Sequence, residues 1–300
     1  MKNINLKNID TEKRNSNSKG LDLKSTVEVL KTINNEDKKI AIAIEKEINV
    51  IANIIDLIFE KSLKTNGRLF YVGAGSSGRI GVLDASEMLP TYGVGDKIFG
   101  IMAGGDKALR LPIEGAEDNE QLVIDDLKSF NFNKNDSVIA IGASGRTPYC
   151  ISAIKYAKAI GALAIGLSMT SNSEFKQHTE HAIEIVSGPE VVTGSTRMKS
   201  GTATKMVVNM ISTTLMIKLG KVYDNLMVDL KATNEKLVSR TIGIVREITN
   251  VEDEQKIRTT LEQSSWDCKL AIVMLSKNLN VEEAKKQLEI NNNVLRKVIN

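Results

Sequence analysis

The sequence predicts an α/β fold: a doubly wound parallel sheet of about five strands with flanking helices, followed by a small C-terminal helical domain. Three observations predict it. Short apolar, β-rich runs alternate with helical patterns along most of the chain. Glycine–hydroxyl loops stand where several of those runs pass into helices. The 300 residues, 42% of them hydrophobic, can bury a substantial core.

In chain order, residues 1–20 are polar and expected to be loose, or to form an arm around Thr11, Glu12, Arg14 and Asn15. Residues 21–65 read as helix, because Ile40, Ile44, Ile48, Ile51, Ile55 and Ile58 recur at three- and four-residue spacing. Asp22 or Ser25 can cap it, and Asn66-Gly67 ends it. A strand at 68–72 leads through Gly73-Ala74-Gly75-Ser76-Ser77-Gly78-Arg79 into a helix to about Glu87, which Leu89-Pro90-Thr91 stops. The strand at 97–103 closes on Gly104-Gly105-Asp106. A polar segment with Glu114, Glu117 and Asp118 then precedes a helix through residue 129.

The strand at 137–141 enters a second loop, Gly142-Ala143-Ser144-Gly145-Arg146-Thr147. The helix after it starts at Pro148, a favoured first-turn position, and ends at Gly161. Strands at 163–167 and 181–186 follow. A third loop, Gly194-Ser195-Thr196-Arg197-Met198-Lys199-Ser200-Gly201-Thr202, opens a helix over 203–219, whose apolar surface could be buried between two subunits. Helical patterns continue to the end. The expected division is an arm at 1–20, a main domain at 21–250 and a small helical domain at 251–300.

Composition narrows the function. A net charge of +3 with 26% charged residues gives no support for a nucleic-acid surface. Cys150 and Cys268 are far apart, fit no metal-ligand spacing and read as free thiols of a reducing cytosol. The N-terminus lacks the apolar core of a signal peptide. The apolar run at 206–217 is short and interrupted by Asn209, Ser212, Thr213 and Thr214, so no membrane span is expected. These features describe a cytoplasmic protein.

The first loop sets free N–H groups at the positive end of a helix beside Ser76, Ser77 and Arg79, which suits a phosphate or another anion. An ordinary turn, with glycines serving only close packing, is the alternative. Gly73-x-Gly75-x-x-Gly78 also satisfies the dinucleotide fingerprint, but the acidic residue wanted about 20 positions on is missing, and Asp106 comes too late. Three such loops should gather at one sheet edge, where ligands bind. Carboxylates are the natural acid–base candidates, since the only histidines, His178 and His181, sit in a polar stretch. Asp84 and Glu87 fall on one helix face, and Glu114, Glu117 and Asp118 cluster in a loop. Each could equally be a solvated charge or a helix cap.

Several blocks resemble the N-acetylmuramic acid 6-phosphate etherase family. They are the run from Gly73 to Glu87, Glu114-Gly115-Ala116-Glu117-Asp118 and Ala143-Ser144-Gly145-Arg146-Thr147-Pro148-Tyr149. The loop from Gly194 to Thr202 and Asn225-Leu226-Met227-Val228-Asp229-Leu230 with Ala232-Thr233-Asn234 complete the set, in family order. Ser76 stands where threonine is usual, and Met88-Leu89 where the family tends to have Cys-Pro. The resemblance implies a sugar isomerase (SIS) fold and cleavage of a lactyl ether to N-acetylglucosamine 6-phosphate and D-lactate, without metal or cofactor. It implies elimination then hydration, with Glu87 as proton donor and Glu117 as the second carboxylate, taken as the base. Ser76, Ser77, Arg79, Glu114, Ser144, Arg146, Thr147, Ser195 and Thr196 are the expected substrate-binding residues. A homodimer is expected, with a small-molecule sugar phosphate as ligand and neither nucleic acid nor membrane as partner. The rival readings are a phosphosugar aldose–ketose isomerase and a non-catalytic sugar-phosphate sensor, since a related glucokinase-binding regulatory protein has a similar fold.

Overall fold

The computed structural model describes residues 10–230 and 234–300. Residues 1–9 of the expected arm, and Ala232 and Thr233 of the last matched block, lie outside them. The chain divides into two compact units, Met1–Ser86 with Asp96–Ser212 and Glu87–Gly95 with Thr213–Asn300.

The elements begin with α1 (Thr26–Glu45), α2 (Ile48–Lys61), β1 (Leu69–Gly73), α3 (Gly75–Ser86) and α4 (Met88–Tyr92). Next come β2 (Ile98–Met102), α5 (Gly105–Arg110), α6 (Glu120–Ser129), β3 (Ser137–Ile141), α7 (Pro148–Ala159), β4 (Leu163–Ser168), β5 (His181–Glu184) and α8 (Lys199–Lys218). In the first unit the five strands form one sheet in the order β2-β1-β3-β4-β5. Every neighbouring pair is parallel. β1, β3 and β4 are buried along their whole length, as expected of strands covered by helices on both faces. Two glycines let α3 lie close on this sheet. A Cβ on Gly81 would come within 2.9 Å of the Tyr71 Cβ, and one on Gly100 within 2.7 Å of the Val82 backbone nitrogen.

Several expectations shift. The helix expected over 21–65 is two helices broken at Lys46 and Glu47. The isoleucine spacing stays at three and four through the break, so the pattern cannot register it. Ser25, not Asp22, makes the cap, in a reciprocal box with Glu28. Pro90 does not stop a helix; it sits in the first turn of α4, where its missing N–H costs no bond. α8 begins at Lys199, ahead of the expected 203, and its apolar face is spent within the chain. Ala203, Val207, Val208, Ile211, Leu215 and Met216 are fully buried, so that face is not free for a second subunit.

The second unit holds α4, a small hairpin of β6 (Val222–Tyr223) and β7 (Leu226–Met227), and α9 (Glu235–Thr249). It continues through α10 (Glu254–Gln263), α11 (Cys268–Lys277), α12 (Val281–Ile290) and α13 (Leu295–Ile299). Val228, Ile242 and Val245 share one core with Ile257, Leu261, Ile272 and Leu288. The apolar stripe of α9 therefore belongs with the helices beyond residue 250, and the units part at Ser212 and Thr213. Inside this core Lys269 is buried and donates to Asp229 Oδ2 at 2.9 Å and to the Asn293 carbonyl at 3.0 Å.

Candidate active site

β1 lies inside the sheet with β2 on one side and β3 on the other, so the winding reverses between β1 and β3. Loops leaving such a reversal open a crevice at the C-terminal ends of the strands. The first loop and α3 leave β1 there. Gly75 has φ of +53°, and the first backbone bond of the helix is Gly78 N–H to the Ala74 carbonyl, at 3.2 Å. The N–H groups of Gly75, Ser76 and Ser77 thus precede the ladder, at the positive end of the helix. Both serines are half-buried, and among the described residues neither hydroxyl has a partner.

The fingerprint spacing has a packing cause. A Cβ on Gly78 would sit 2.6 Å from the Gly73 carbonyl oxygen and 2.6 Å from the Met102 Cβ. Arg79 also works within the fold. Its Nη2 and Nε donate to the Ala108 carbonyl at 2.7 and 3.1 Å, and Nε to that of Leu109 at 3.1 Å. The guanidinium therefore ties down the carbonyl end of α5, where a cation is favoured.

The second loop leaves β3 beside it. Gly145 has φ of +64°, and its N–H closes a turn on the Gly142 carbonyl at 3.0 Å. The loop is pinned from outside by Met169 N–H on the Ala143 carbonyl (3.0 Å) and Phe175 N–H on that of Gly145 (3.2 Å). Ser144, Arg146 and Thr147 are half-buried, and among the described residues their side chains have no partners. Pro148 starts α7, whose first backbone bond is Ile151 N–H to the Thr147 carbonyl at 3.0 Å. The N–H groups of Tyr149 and Cys150 precede it.

Glu117 sits in a short 3-10 turn, Ala116–Asp118, that packs against α7. The buried Cys150 thiol in the first turn of α7 registers it: burial first, then the charge of Glu117, push that thiol up to about 12. Glu117 therefore lies near the same strand ends as the two loops, and both it and Glu114, just ahead of it, are exposed. His181 starts β5 at the opposite ends of the strands, in a recess lined also by Lys61, Lys134 and Lys158.

The third loop differs from the first two. The buried Glu190 carboxylate already fills the first turn of α8, taking Lys199 N–H at 2.9 Å and Ser200 N–H at 2.9 Å. Ser195 and Thr196, half-buried, carry hydroxyls without partners among the described residues. Hydroxyls, not the helix end, are what this loop can offer a ligand. The arm packs on the same edge. Asp10 accepts from Ser171 N–H (3.1 Å) and Oγ (2.8 Å) after β4, and Asn15 donates to the Pro189 carbonyl at 3.1 Å. Thr11 and Asn15 are buried, so residues 10–15 pack on the fold and are not loose.

Asp84 and Glu87 have different environments. Asp84 is buried and accepts from Asn209 Nδ2 at 2.5 Å and Ser212 Oγ at 3.1 Å; burial raises its pKa. Glu87 lies past the end of α3, exposed, as the residue before α4. Sequence reasoning passed over Glu190 and Asp10. Glu190 lies nine residues ahead of α8, too far to be read as its cap, since a capping carboxylate is looked for just ahead of a helix.

A family described as the glucokinase regulatory protein N-terminal SIS domain matches residues 50–158, and the SIS domain matches residues 125–213. The N-acetylmuramic acid 6-phosphate etherase of Mycoplasma mycoides subsp. mycoides SC is 54% identical over 300 residues, covering 100% of this chain and 99% of its own. The etherase of Clostridium beijerinckii is 51% identical over 100% of this chain and 98% of its own. That of Clostridium botulinum strain Hall is 53% identical over 97% and 96%. Among solved structures, a ligand-bound protein of E. coli CFT073 has a TM-score of 0.50 at 19% identity, over 67% of this chain and 97% of its own. A putative phosphosugar isomerase from Bacteroides fragilis has a TM-score of 0.50 at 17% identity, over 66% and 94%. These two structures share the fold. With a five-stranded parallel sheet of SIS type and identity of 51–54% to full-length etherases, this chain belongs to the N-acetylmuramic acid 6-phosphate etherase family.

Proposed function

We propose that this protein cleaves the D-lactyl ether of N-acetylmuramic acid 6-phosphate, giving N-acetylglucosamine 6-phosphate and D-lactate in the cytoplasmic recycling of cell-wall sugars. The observation that carries this reading is the 54% identity, over the whole chain, to an etherase of that name. In it, Ser77 and Ser144, with the free N–H groups of α3 and α7, hold the phosphate. Ser76, Glu114, Arg146, Thr147, Ser195 and Thr196 line the sugar, and Arg79 supports the first loop from behind. Opening of the sugar ring exposes an aldehyde that acidifies the carbon-2 proton. Glu117 removes that proton, Glu87 protonates the ether oxygen leaving carbon 3, and water adds to the alkene. Such a pair needs carboxyls held in opposite protonation states. Lactate release by the purified protein from N-acetylmuramic acid 6-phosphate tests the reading, and its absence from folded protein overturns it.

The finer proposal is a homodimer in which Ser77 of one subunit and Glu87 of the other serve each site. α3 runs unbroken to Ser86, and at about 1.5 Å per residue roughly 14 Å separate Ser77 from Ser86, longer than a hexose phosphate comfortably spans. Leu23, just ahead of α1, and Val27 and Leu30 on its first turns are 86%, 59% and 60% exposed and give a second subunit apolar surface to cover. Mixing Ser77→Arg protein with Glu87→Gln protein restores activity in mixed dimers if the sites are shared. No recovery, with subunit exchange confirmed, places both groups in one chain.

The match of residues 50–158 to a regulatory-protein domain favours one other reading, a sugar-phosphate sensor. Binding of the sugar phosphate without lactate release would select it.

A further inference from the structure

The loop carrying Ser195 and Thr196 is closed by a carboxylate that the proposed reaction does not use. Glu190 is fully buried, and Oε2 accepts from Lys199 N–H at 2.9 Å. Its Oε1 accepts from Ser200 N–H at 2.9 Å and Ser200 Oγ at 2.8 Å. All three donors are neutral groups of the first turn of α8, the place where a free helix would bind an anion. The Lys199 ammonium, also buried, turns elsewhere: it donates to Glu36 Oε2 and to the Ser187 carbonyl, both at 2.9 Å. The two ends of the loop are thus fastened to each other and to α1.

Between these ends the loop is held by its own backbone. Ser195 N–H bonds the Val192 carbonyl at 2.9 Å, Thr196 N–H that of Gly194 at 3.0 Å, and Gly201 N–H that of Thr196 at 2.9 Å. Backbone and carboxylate bonds fix the loop, and the Ser195 and Thr196 hydroxyls have no partners among the described residues. We infer that Glu190 is a positioning residue: its carboxylate occupies the anion-binding turn of α8 and so fixes the loop that presents Ser195 and Thr196 to the sugar phosphate. The inference rests on the sugar-phosphate reading of those hydroxyls. It also means that the ligand's phosphate is left to α3 and α7, because the third helix end is filled from within.

Binding of N-acetylglucosamine 6-phosphate, followed by calorimetry, tests this without requiring turnover. Glu190→Gln keeps the shape and one acceptor but sets an amide N–H against a backbone N–H of the turn, so the loop loosens and the ligand should bind about tenfold more weakly than to wild type. In lactate release the same variant should raise KM and leave kcat unchanged. Glu190→Ala should lose more affinity, and added formate, entering the emptied turn as a carboxylate, should restore it. Glu190→Gln binding as tightly as wild type overturns the inference, whether or not Glu190→Ala folds. So does a folded Glu190→Ala that formate does not rescue. A wild-type protein that binds this sugar phosphate but releases no lactate overturns the etherase reading and leaves the role of Glu190 standing.

Discussion

Asn209, on α8, donates its side-chain amide to Asp84, on α3, at 2.5 Å, and Ser212 one turn further along α8 adds a second bond at 3.1 Å. The carboxyl they hold is buried beside Tyr71, so its charged form is disfavoured even with these donors. Burial raises the folded pKa above the usual 3.8. The folded state then binds more protons than the unfolded chain, and stability falls as pH rises from 3.8 through the folded value. Asp84→Asn cannot ionise and should show no such fall. Urea unfolding of both proteins across this window checks the sign; parallel curves would refute it.

Glu36 behaves in the opposite sense. Burial pushes its pKa up, but Lys39, Lys199 and Asn17 outweigh burial and hold it at about 2, below the usual 4.5. Its contribution is complete above pH 4.5 and lost as pH falls towards 2. Lys199→Met should cost about 3 kcal/mol, since it strands part of a buried carboxylate and the Ser187 carbonyl. The double variant Glu36→Leu with Lys199→Met should recover part of that loss. A double variant less stable than the single one contradicts this account.

Glycines at two places should respond oppositely to an added methyl group. In β2 a Cβ on Gly100 would run into the Val82 backbone, which cannot swing aside, and overpacking of this kind costs about 1–3 kcal/mol. In α9 a Cβ on Gly243 meets nothing within 4 Å, and alanine there should add about 0.8–1 kcal/mol of stability. Thermal melting of Gly100→Ala and Gly243→Ala measures both. Equal shifts would mean that close packing of α3 on β2 is not what Gly100 serves.

In the proposed site, Ser144→Ala should weaken binding of N-acetylglucosamine 6-phosphate by about 1.5–3 kcal/mol. Glu87→Gln should lower kcat for lactate release roughly 10²–10⁴-fold and largely spare substrate binding. Glu117→Gln should also stop exchange of the carbon-2 proton with solvent deuterium. Undiminished exchange would assign the base to another residue.

The five strands of the parallel sheet, the glycine–hydroxyl loops at their ends and the cap of α1 were legible in the sequence, because these depend on residues close together in the chain. β3 spans Ser137–Ile141 as the pattern predicts, and α7 starts at Pro148. The family motifs were legible for the same reason, each being a contiguous block. What the tertiary structure decided were partners distant in sequence. Arg79 could be read as an anion ligand until α5 supplied carbonyls for it, and α8 as a free helix end until Glu190 filled it. The apolar face of α8 could be read as a subunit surface until its side chains were found buried in its own chain. A charge or an apolar face states in the sequence only that it needs a partner. Which partner it takes is fixed when packing brings distant segments together, because burial makes an unpaired group costly.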